Sequence, residues 1–311
     1  MSAVTWHYGY RYPASRSISG GRFGTSALEY DKFRPHYPSE LFDKFEALGP
    51  VHVLDIGCGT GRVALPLIDR GMNVLARLGL GLEPDARMAD VARSRGVPVE
   101  IGTFERWDDA GRRFDLITCG AAWHWIEPEE GADKAAHILR SGGTLARFIN
   151  FRLLDDHALA SFDAVYSSYA PEVTTDGRPP SYLDADDPVS TSTSSSGTRS
   201  HVLRSIREFS TDEWLGMIAT LSDHIALGSE RLGALLMVLR DLTDNDFDGR
   251  LRVTSCTHVV LPRAFEEPVA LVLYLHFESV LTSLDSPAMA WAAELLLLTC
   301  AYCSVGRVDS P

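Results

Sequence analysis

The stretch Val53-Leu-Asp-Ile-Gly-Cys-Gly-Thr-Gly61 decides how this chain of 311 residues folds. It continues an apolar run, 51–56, that predicts a buried β-strand, and its glycines stand just before a helix predicted over 61–70. Glycine lets the backbone turn tightly and approach a ligand without a Cβ in the way. Main-chain N–H groups at such a junction point into the crevice beyond the strand, the usual ligand site of an open α/β sheet.

The spacing of these glycines indicates which ligand the loop takes. A dinucleotide fingerprint reads Gly-x-Gly-x-x-Gly and holds a pyrophosphate. This loop reads Gly-x-Gly-x-Gly and has Arg62 where the fingerprint needs its third glycine. Asp55, just ahead of the loop, would repel a phosphate and suits a cationic amine. The loop therefore favours a ligand with an amine over a pyrophosphate.

The segment Val53-Leu-Asp-Ile-Gly-Cys-Gly-Thr-Gly-Arg62 resembles motif I of the class I S-adenosylmethionine-dependent methyltransferases, and more distant segments resemble the type 11 and trans-aconitate methyltransferase-like members. The resemblance implies a Rossmann-like α/β fold, with a mostly parallel seven-stranded sheet, helices on both faces and a helical cap. It also implies that the cofactor is S-adenosyl-L-methionine, with Asp55 near its amino group. The loop residues it implicates are Asp55, Gly57, Cys58, Gly59 and Gly61.

Three further segments that follow predicted strands complete the expected cofactor site. Glu83 ends the second strand, where a carboxylate accepts hydrogen bonds from ribose hydroxyls in nucleotide-binding folds, whereas Asp85 is better explained as a helix cap. Inserted residues before Glu83 leave the register around 74–83 open. In similar methyltransferases the segment after the third strand contacts adenine, although a core position for Phe104 explains that residue equally well. The third segment follows the fourth strand. The residues expected to contact the cofactor from the segments after the third and fourth strands are Thr103, Phe104, Glu105, Gly120 and Ala121.

The segment Cys119-Gly-Ala-Ala-Trp-His-Trp-Ile-Glu-Pro128 resembles the one that passes beside the methyl-donor sulfur in trans-aconitate-type enzymes. Trp123 and Trp125 are expected to form an apolar, π-rich wall that suits a sulfonium cation. His124 is the candidate general base, because its ordinary pKa of about 6.5 suits proton removal at neutral pH. Simple packing of the imidazole between the two indoles is the alternative.

The block Tyr30-Asp-Lys-Phe-Arg-Pro-His-Tyr-Pro38 resembles the segment that lies over the cofactor as a lid in the same subfamily. Its candidate substrate contacts are Tyr30, Arg34, His36 and Tyr37, and Arg34 offers a cation for an acidic substrate. The alternative is a solvated lead-in, fixed by two prolines, to a short amphipathic helix predicted from Ser39. Weaker candidates for the same pocket are Asn150, Asp223 and His224.

The pattern of strands, helices and low-complexity residues divides the chain into five parts. We expect a flexible N-terminal arm over 1–28 and a cofactor-binding Rossmann-like core of alternating strands and helices over 29–150. Residues 151–249 are expected to be a substrate-side insertion with a disordered linker at about 171–200. Residues 250–263 supply the final strand of the core. An apolar helical tail, 264–311, follows, and the sequence assigns no role to it.

Composition narrows the partners and the compartment. The net charge of −13, with 42 acidic and 29 basic residues, opposes binding to nucleic acid. The five cysteines are scattered, which suits the reducing cytoplasm. Cys300 and Cys303 form a single Cys-x-x-Cys without a second pair, so zinc is not predicted, and no motif requires another metal. The N-terminus has no signal-like apolar run. The apolar segment 288–305 is at the lower edge of the roughly 17–25 residues that span a bilayer, so a buried or dimer-forming helix is preferred.

These observations predict a methyltransferase that moves a methyl group from S-adenosylmethionine to an oxygen, nitrogen, carbon or carboxylate acceptor of a small molecule, releasing S-adenosylhomocysteine. One alternative is a nicotinamide-dependent oxidoreductase, which shares the parallel sheet and the acidic residue after the second strand. A second alternative is a non-catalytic protein that keeps the fold to dimerise or regulate. The acceptor itself depends on the shape of the pocket, which the sequence does not give.

Overall fold

The computed structural model describes residues 27–72, 80–176 and 198–262. These residues form a seven-stranded sheet in the order β3-β2-β1-β4-β5-β7-β6. The strands β1 to β5 are parallel, and β7 runs antiparallel between β5 and β6. The strands are β1 Val53–Ile56, β2 Leu80–Glu83, β3 Val99–Ile101, β4 Phe114–Gly120, β5 Leu139–Leu153, β6 Thr198–Ser210 and β7 Arg250–Pro262. This is the Rossmann-like arrangement that the sequence predicts.

Helices connect the strands, as expected for parallel βαβ units. Several of them begin where the sequence supplies a cap. Asp85 accepts a hydrogen bond from the main chain of Arg87, and Ser210 and Glu213 form a capping box. The helices are α1 Ala27–Phe33, α2 Ser39–Glu46, α3 Ala64–Asp69, α4 Ala86–Ser94, α5 Pro128–Ile138, α6 Asp156–Tyr169, α7 Thr211–Ile218, α8 Ser222–Ile225 and α9 Ser229–Asp246.

Burial of the central strand explains why its sequence has no polar–apolar alternation. All four residues of β1 are buried, because β2 and β4 flank it and helices cover the sheet. One apolar cluster packs Leu54, Ile117 and Trp123 against the N-terminal half of the sheet. A second cluster joins α6, α7 and α9 to β7, and its largest fully buried side chain is Trp214.

The structure corrects two of the expected boundaries. Residues 151–249 are not an insertion throughout, because β6 lies within them and pairs with β7 over its whole length. The sequence Ser141-Gly-Gly143 predicts the end of a helix and the start of a strand at Thr144, but the strand after α5 begins at Leu139. Its first residue pairs with Phe114 across an irregularity in the ladder, and the expected stop at Gly142 and Gly143 falls inside the strand.

Other expectations fall partly outside the described residues. The helix α1 begins at Ala27, inside the predicted arm, while residues 1–26 lie outside. So do most of the predicted linker, residues 73–79 before β2, and the tail 264–311 with Cys300 and Cys303. Within the described ranges, no helix has the length and apolar character needed to cross a bilayer.

Candidate functional site

The glycine loop connects β1 to α3 and takes a backbone path that favours glycine. The φ angles of Gly57, Gly59 and Gly61 are 61°, 55° and 86°. The N–H groups of Gly57 and Cys58 donate to the carbonyl of Leu82 in β2, at 2.8 and 3.1 Å. A Cβ on Gly57 would lie 2.5 Å from the Cβ of Ala122, so the loop also touches the turn after β4.

Asp55 lies in β1 beside this loop, and only 2% of it is exposed. Its Oδ1 accepts a hydrogen bond from the Thr118 hydroxyl at 2.8 Å, whereas its buried Oδ2 has no hydrogen-bond partner. Burial raises the pKa of Asp55 to about 7, and the negative charge of Glu83 adds to the rise. The hydrogen bond from Thr118 and a weaker contact with the main-chain N–H of Ala64 lower the pKa but do not cancel the rise. A buried carboxylate oxygen without a donor is costly unless a ligand supplies one.

Glu83 ends β2, the strand next to β1, and is 7% exposed. Its Oε2 accepts from the main-chain N–H of Gly59 at 2.9 Å, and its Oε1 accepts from that of Asp85 at 3.0 Å. Burial raises the pKa of Glu83, and these two hydrogen bonds counteract the rise. Each carboxylate oxygen keeps a second lone pair that can accept from a ligand hydroxyl. Asp85 caps α4, as expected, so Glu83 remains the ribose candidate.

The residues after β3 are more engaged with the protein than the sequence suggested. Ile101 pairs with Glu83, so Thr103 lies two residues beyond the strand end next to the candidate ribose ligand. Phe104 is 2% exposed and belongs to the core, so the core alternative explains it and adenine stacking does not. Glu105 accepts a hydrogen bond from the N–H of Glu127 at 3.0 Å, which ties this segment to the start of α5.

A second turn of the site follows the end of β4. Gly120 pairs with Phe148 of β5, and a Cβ on Gly120 would lie 2.8 Å from the Tyr37 hydroxyl and from the Phe148 ring. The next residue, Ala121, has a φ of 52°, which is unusual for a residue with a side chain. Non-glycine residues in this conformation concentrate at functional sites. The turn therefore brings the predicted residues Gly120 and Ala121 beside the lid residue Tyr37.

His124 lies in a short 3₁₀ helix, Trp123–Trp125, after this turn. Burial lowers its pKa to about 4, so the imidazole is neutral at pH 7. Its ring centroid is 5.0 Å from that of Trp125. The residues His124, Arg147 and His258 contribute to the wall of one partly open pocket. Such a low pKa makes His124 a weaker base than the sequence predicts.

The two tryptophans differ in their surroundings. Trp123 is buried in the core cluster on one face of the sheet, with the Arg147 guanidinium 5.2 Å from its ring centroid. A cation of the protein thus already contacts the ring that the sequence assigned to a sulfonium. Trp125 is only half-buried. Of the predicted aromatic wall, Trp125 is the member that keeps an accessible surface.

The lid block folds as α1 and an extended segment through Pro38. The Arg34 side chain lies 5.0 Å from the Tyr30 ring and donates to the hydroxyl and the carbonyl of Thr220, both at 2.9 Å. The Tyr37 ring packs edge-on against Phe148 at 4.8 Å, and burial raises the pKa of Tyr37. His36 is exposed. Arg34 therefore holds the segment to α7 rather than standing ready for a substrate.

A buried polar network includes two of the weaker candidates, Asp223 and His224, together with Tyr166, which the sequence did not single out. His224 is fully buried, its Nδ1 lies 2.8 Å from Asp223 and its Nε2 lies 2.7 Å from the Tyr166 hydroxyl. The adjacent Asp223 and His224 thus contact each other, and Tyr166 joins them to the second core cluster. Asn150 accepts a hydrogen bond from Thr257 at 2.6 Å and joins β5 to β7.

A buried ion pair lies close to that network. Arg152 donates twice to Asp176, at 2.7 and 2.8 Å, and the charge of Arg152 lowers the pKa of that buried carboxyl against the effect of burial. Neither residue carried a motif signal. Within the described residues, no group of three or more His, Cys, Asp or Glu side chains could hold a metal ion.

Comparisons with known proteins agree with this geometry. Residues 53–143 match the family described as a methyltransferase domain. An uncharacterized methyltransferase of Mycobacterium tuberculosis is 33% identical over 133 residues, which are 42% of this chain and 52% of the relative. A trans-aconitate 2-methyltransferase of Mycolicibacterium gilvum is 27% identical over 36% of this chain and 42% of its own. This chain thus spans about half the length of the curated relatives that it matches.

A solved structure from Anaeromyxobacter dehalogenans, described as a type II methyltransferase, superimposes on this chain with a TM-score of 0.51 at 21% identity. The superposition covers 76% of this chain and all of the other. That likeness concerns the fold. Residues 53–143 thus match a methyltransferase domain, and the chain shares its fold with a solved methyltransferase.

The residues present fit the cofactor of this domain class, S-adenosylmethionine. The unpartnered Oδ2 of Asp55 offers an acceptor for an ammonium group, and Glu83 offers lone pairs for hydroxyls. Gly57 lets the turn after β4 pack closely against the loop, because a Cβ there would clash with Ala122.

Proposed function

We propose that this chain is a methyltransferase that transfers the methyl group of S-adenosylmethionine to a small-molecule acceptor and releases S-adenosylhomocysteine. The observation that carries the proposal is the buried Oδ2 of Asp55, which has no hydrogen-bond partner beside the glycine loop. An ammonium group satisfies this oxygen. A pyrophosphate at the glycine loop would instead meet the buried carboxylate of Asp55, and this disfavours a nicotinamide dinucleotide.

The protein's own contribution is to position the acceptor and exclude water. S-adenosylmethionine supplies, when bound, a methyl group on a positively charged sulfur that needs no further activation. Tyr37 and Trp125 lie around the end of β4 and offer aromatic surface there. Alignment of two bound reactants and removal of solvent account for much of the acceleration of such reactions.

His124 limits which acceptors fit this proposal. An imidazole whose pKa is about 4 is neutral at pH 7 but takes up a proton weakly. It suits orientation of an acceptor through a hydrogen bond better than removal of a tightly held proton. The proposal therefore favours acceptors that already carry a lone pair at neutral pH, such as carboxylates, amines or acidic phenols. The net charge of −13 supports a small molecule over a nucleic acid.

Calorimetric titration tests the cofactor part of the proposal. We expect S-adenosylhomocysteine to bind the parent protein, and Asp55→Asn and Glu83→Gln each to weaken it about 10- to 100-fold, the loss typical of one charge-assisted hydrogen bond. Asp43→Asn is the control, because that carboxylate is exposed and pairs with Arg70 away from the loop. Tight binding of NADH, with no heat of binding from S-adenosylhomocysteine or S-adenosylmethionine, would overturn the proposal.

Product release tests the reaction. Panels of small carboxylic acids, amines and phenols are incubated with S-adenosylmethionine, and formation of S-adenosylhomocysteine is measured by mass spectrometry. Turnover that Asp55→Asn abolishes supports an enzyme. Cofactor binding without turnover on any class would favour a protein that uses the fold for regulation or dimerisation.

A further inference from the structure

Arg62 follows the glycine loop directly, yet its side chain points to the N-terminal segment. It is 8% exposed. Its Nη1 donates to the main-chain carbonyl of Asp31 at 2.9 Å, and its Nη2 donates to that of Arg34. One guanidinium thus bridges two carbonyls at the end of α1.

The sequence explains why those two carbonyls need a donor. In a helix the carbonyl of residue i accepts from the N–H of residue i+4. The partners of Asp31 and Arg34 would be Pro35 and Pro38, which have no N–H. The last intrahelical bond runs from the N–H of Arg34 to Tyr30. Arg62 supplies the missing donors, and its positive charge also suits the C-terminal end of the helix dipole.

Two more contacts join the same segment to the cofactor loop. The Thr60 hydroxyl, within the loop, donates to the Asp31 carboxylate at 2.8 Å. Arg95, at the end of α4, donates to the same oxygen at 2.6 Å. The start of the lid is therefore attached to residues on both sides of the glycine loop, and Arg62 contributes the main-chain contacts.

The other side of the segment contacts α7. Phe33 packs where Gly216 has no side chain, since a Cβ there would lie 2.5 Å from the Phe33 ring. Arg34 donates to Thr220 beyond the end of α7. The segment 27–38 thus crosses from the cofactor loop to α7 and holds Tyr37 next to Gly120 at the end of β4.

We propose that Arg62 is a positioning residue that couples the cofactor loop to the lid segment 27–38, so that ordering of the loop by cofactor also fixes the lid. The inference rests on the proposed function. It gives a role to the arginine in this loop that glycine spacing alone does not assign. Loss of the bridge frees the lid while leaving the loop's own contacts, Asp55 and Glu83, in place.

Limited trypsin digestion tests the coupling without measuring activity. Lys32 is exposed in α1, and cleavage after it is followed by mass spectrometry with and without S-adenosylhomocysteine. We expect the ligand to slow this cleavage at least about tenfold in the parent protein, and Arg62→Ala to remove most of that protection. Arg62→Lys should fall between them, because an ammonium lacks the planar fork that bridges two carbonyls.

Arg113→Ala is the matched control. Arg113 also donates to a main-chain carbonyl, that of Arg112, but just before β4 begins, at the end of the parallel strands opposite to the cofactor loop. It should keep the parent's protection. Unchanged circular dichroism for Arg62→Lys shows that the fold persists. In turnover assays Arg62→Lys should raise the KM of the acceptor more than that of the cofactor.

The outcomes separate the two proposals. If the parent binds S-adenosylhomocysteine and Arg62→Ala retains full protection at Lys32, the coupling is refuted while the proposed function stands. If the parent binds no S-adenosylhomocysteine, the proposed function fails. In that case, faster cleavage of ligand-free Arg62→Ala than of the parent still supports the bridge, and equal rates refute it.

Discussion

The affinity for the cofactor should depend on pH through Asp55. Its pKa is about 7 in the free protein, so half of the molecules carry a protonated Asp55 at pH 7. An ammonium ligand binds the ionised form and holds the pKa of the carboxyl near or below its ordinary value of about 3.9. Binding must therefore release a proton, and acid must weaken it.

The size of the effect follows from linkage. Below the pKa of the free group, affinity falls about tenfold for each pH unit, because that is how fast the ionised fraction falls. Between the plateau above pH 7 and pH 5, the dissociation constant should rise about 100-fold, which is about 2.7 kcal/mol. Burial also raises the pKa of Glu83, and its protonation adds to the loss of affinity with falling pH. The variant Asp55→Asn is therefore needed to separate the two carboxyl groups.

Calorimetry with S-adenosylhomocysteine from pH 5 to pH 7.5 measures this dependence. The range stays below the pKa of the ligand's own amine, which is about 7.7–8.0 by analogy with α-amino groups. Buffers of different ionisation enthalpy report the released proton. Asp55→Asn should bind more weakly at pH 7.5 and lose most of the slope, while Asp43→Asn keeps both. Equal affinity of the parent at pH 5 and pH 7.5, or an unchanged slope in Asp55→Asn, would refute the reasoning.

Three further predictions concern the scaffold and the turn after β4. Gly57→Ala should lose cofactor binding and more stability than Gly49→Ala, since both have positive φ near 60° but only Gly57 has an atom within 2.5 Å of the new Cβ; thermal melts of both variants measure the difference. His124→Ala should lower turnover more than cofactor affinity, and the parent's kcat should show no inflection from His124 between pH 5.5 and 8, because its pKa is about 4; an inflection near pH 6.5 that the variant removes would contradict this. Asp176→Ala should lower the free energy of unfolding in urea by about 1.5–3 kcal/mol, because it removes two hydrogen bonds to the buried Arg152 guanidinium; a loss below about 0.5 kcal/mol would show that solvent reaches the pair.

Asp55 also carries a cost for the ligand-free fold. A carboxyl whose pKa is raised on folding stabilises the protein fully below its unfolded pKa, about 3.9, and loses that contribution as the pH rises through about 7. Asp55→Asn should therefore melt higher than the parent at pH 8 when no ligand is present. Such a gain in stability with a loss of binding is expected where a site keeps a strained group for function.

Short-range patterns in the sequence were enough to predict the fold class and the cofactor loop. Strand propensity, glycine spacing and helix caps are local properties, and the alternation of strands with helices restricts the sheet to parallel crossovers. The boundary errors arose where local signals conflict with pairing. Gly142 and Gly143 look like a helix stop, but the partner strand β4 keeps them in β5. The pairing of β6 with β7, which α7, α8 and α9 separate in the chain, has no local signal.

By itself, the sequence determined that a glycine loop with Asp55 ahead of it stands at a strand end, because chain order alone fixes that junction. Only the tertiary structure decided which neighbouring side chains remain available. It placed Phe104 and Trp123 in the core and lowered the pKa of His124 by burial. It also turned Arg62 toward two carbonyls that lack helical N–H donors because the residues four positions later are prolines. Burial, pKa and side-chain partners depend on segments that are distant in the chain and meet only when the sheet and its helices pack together.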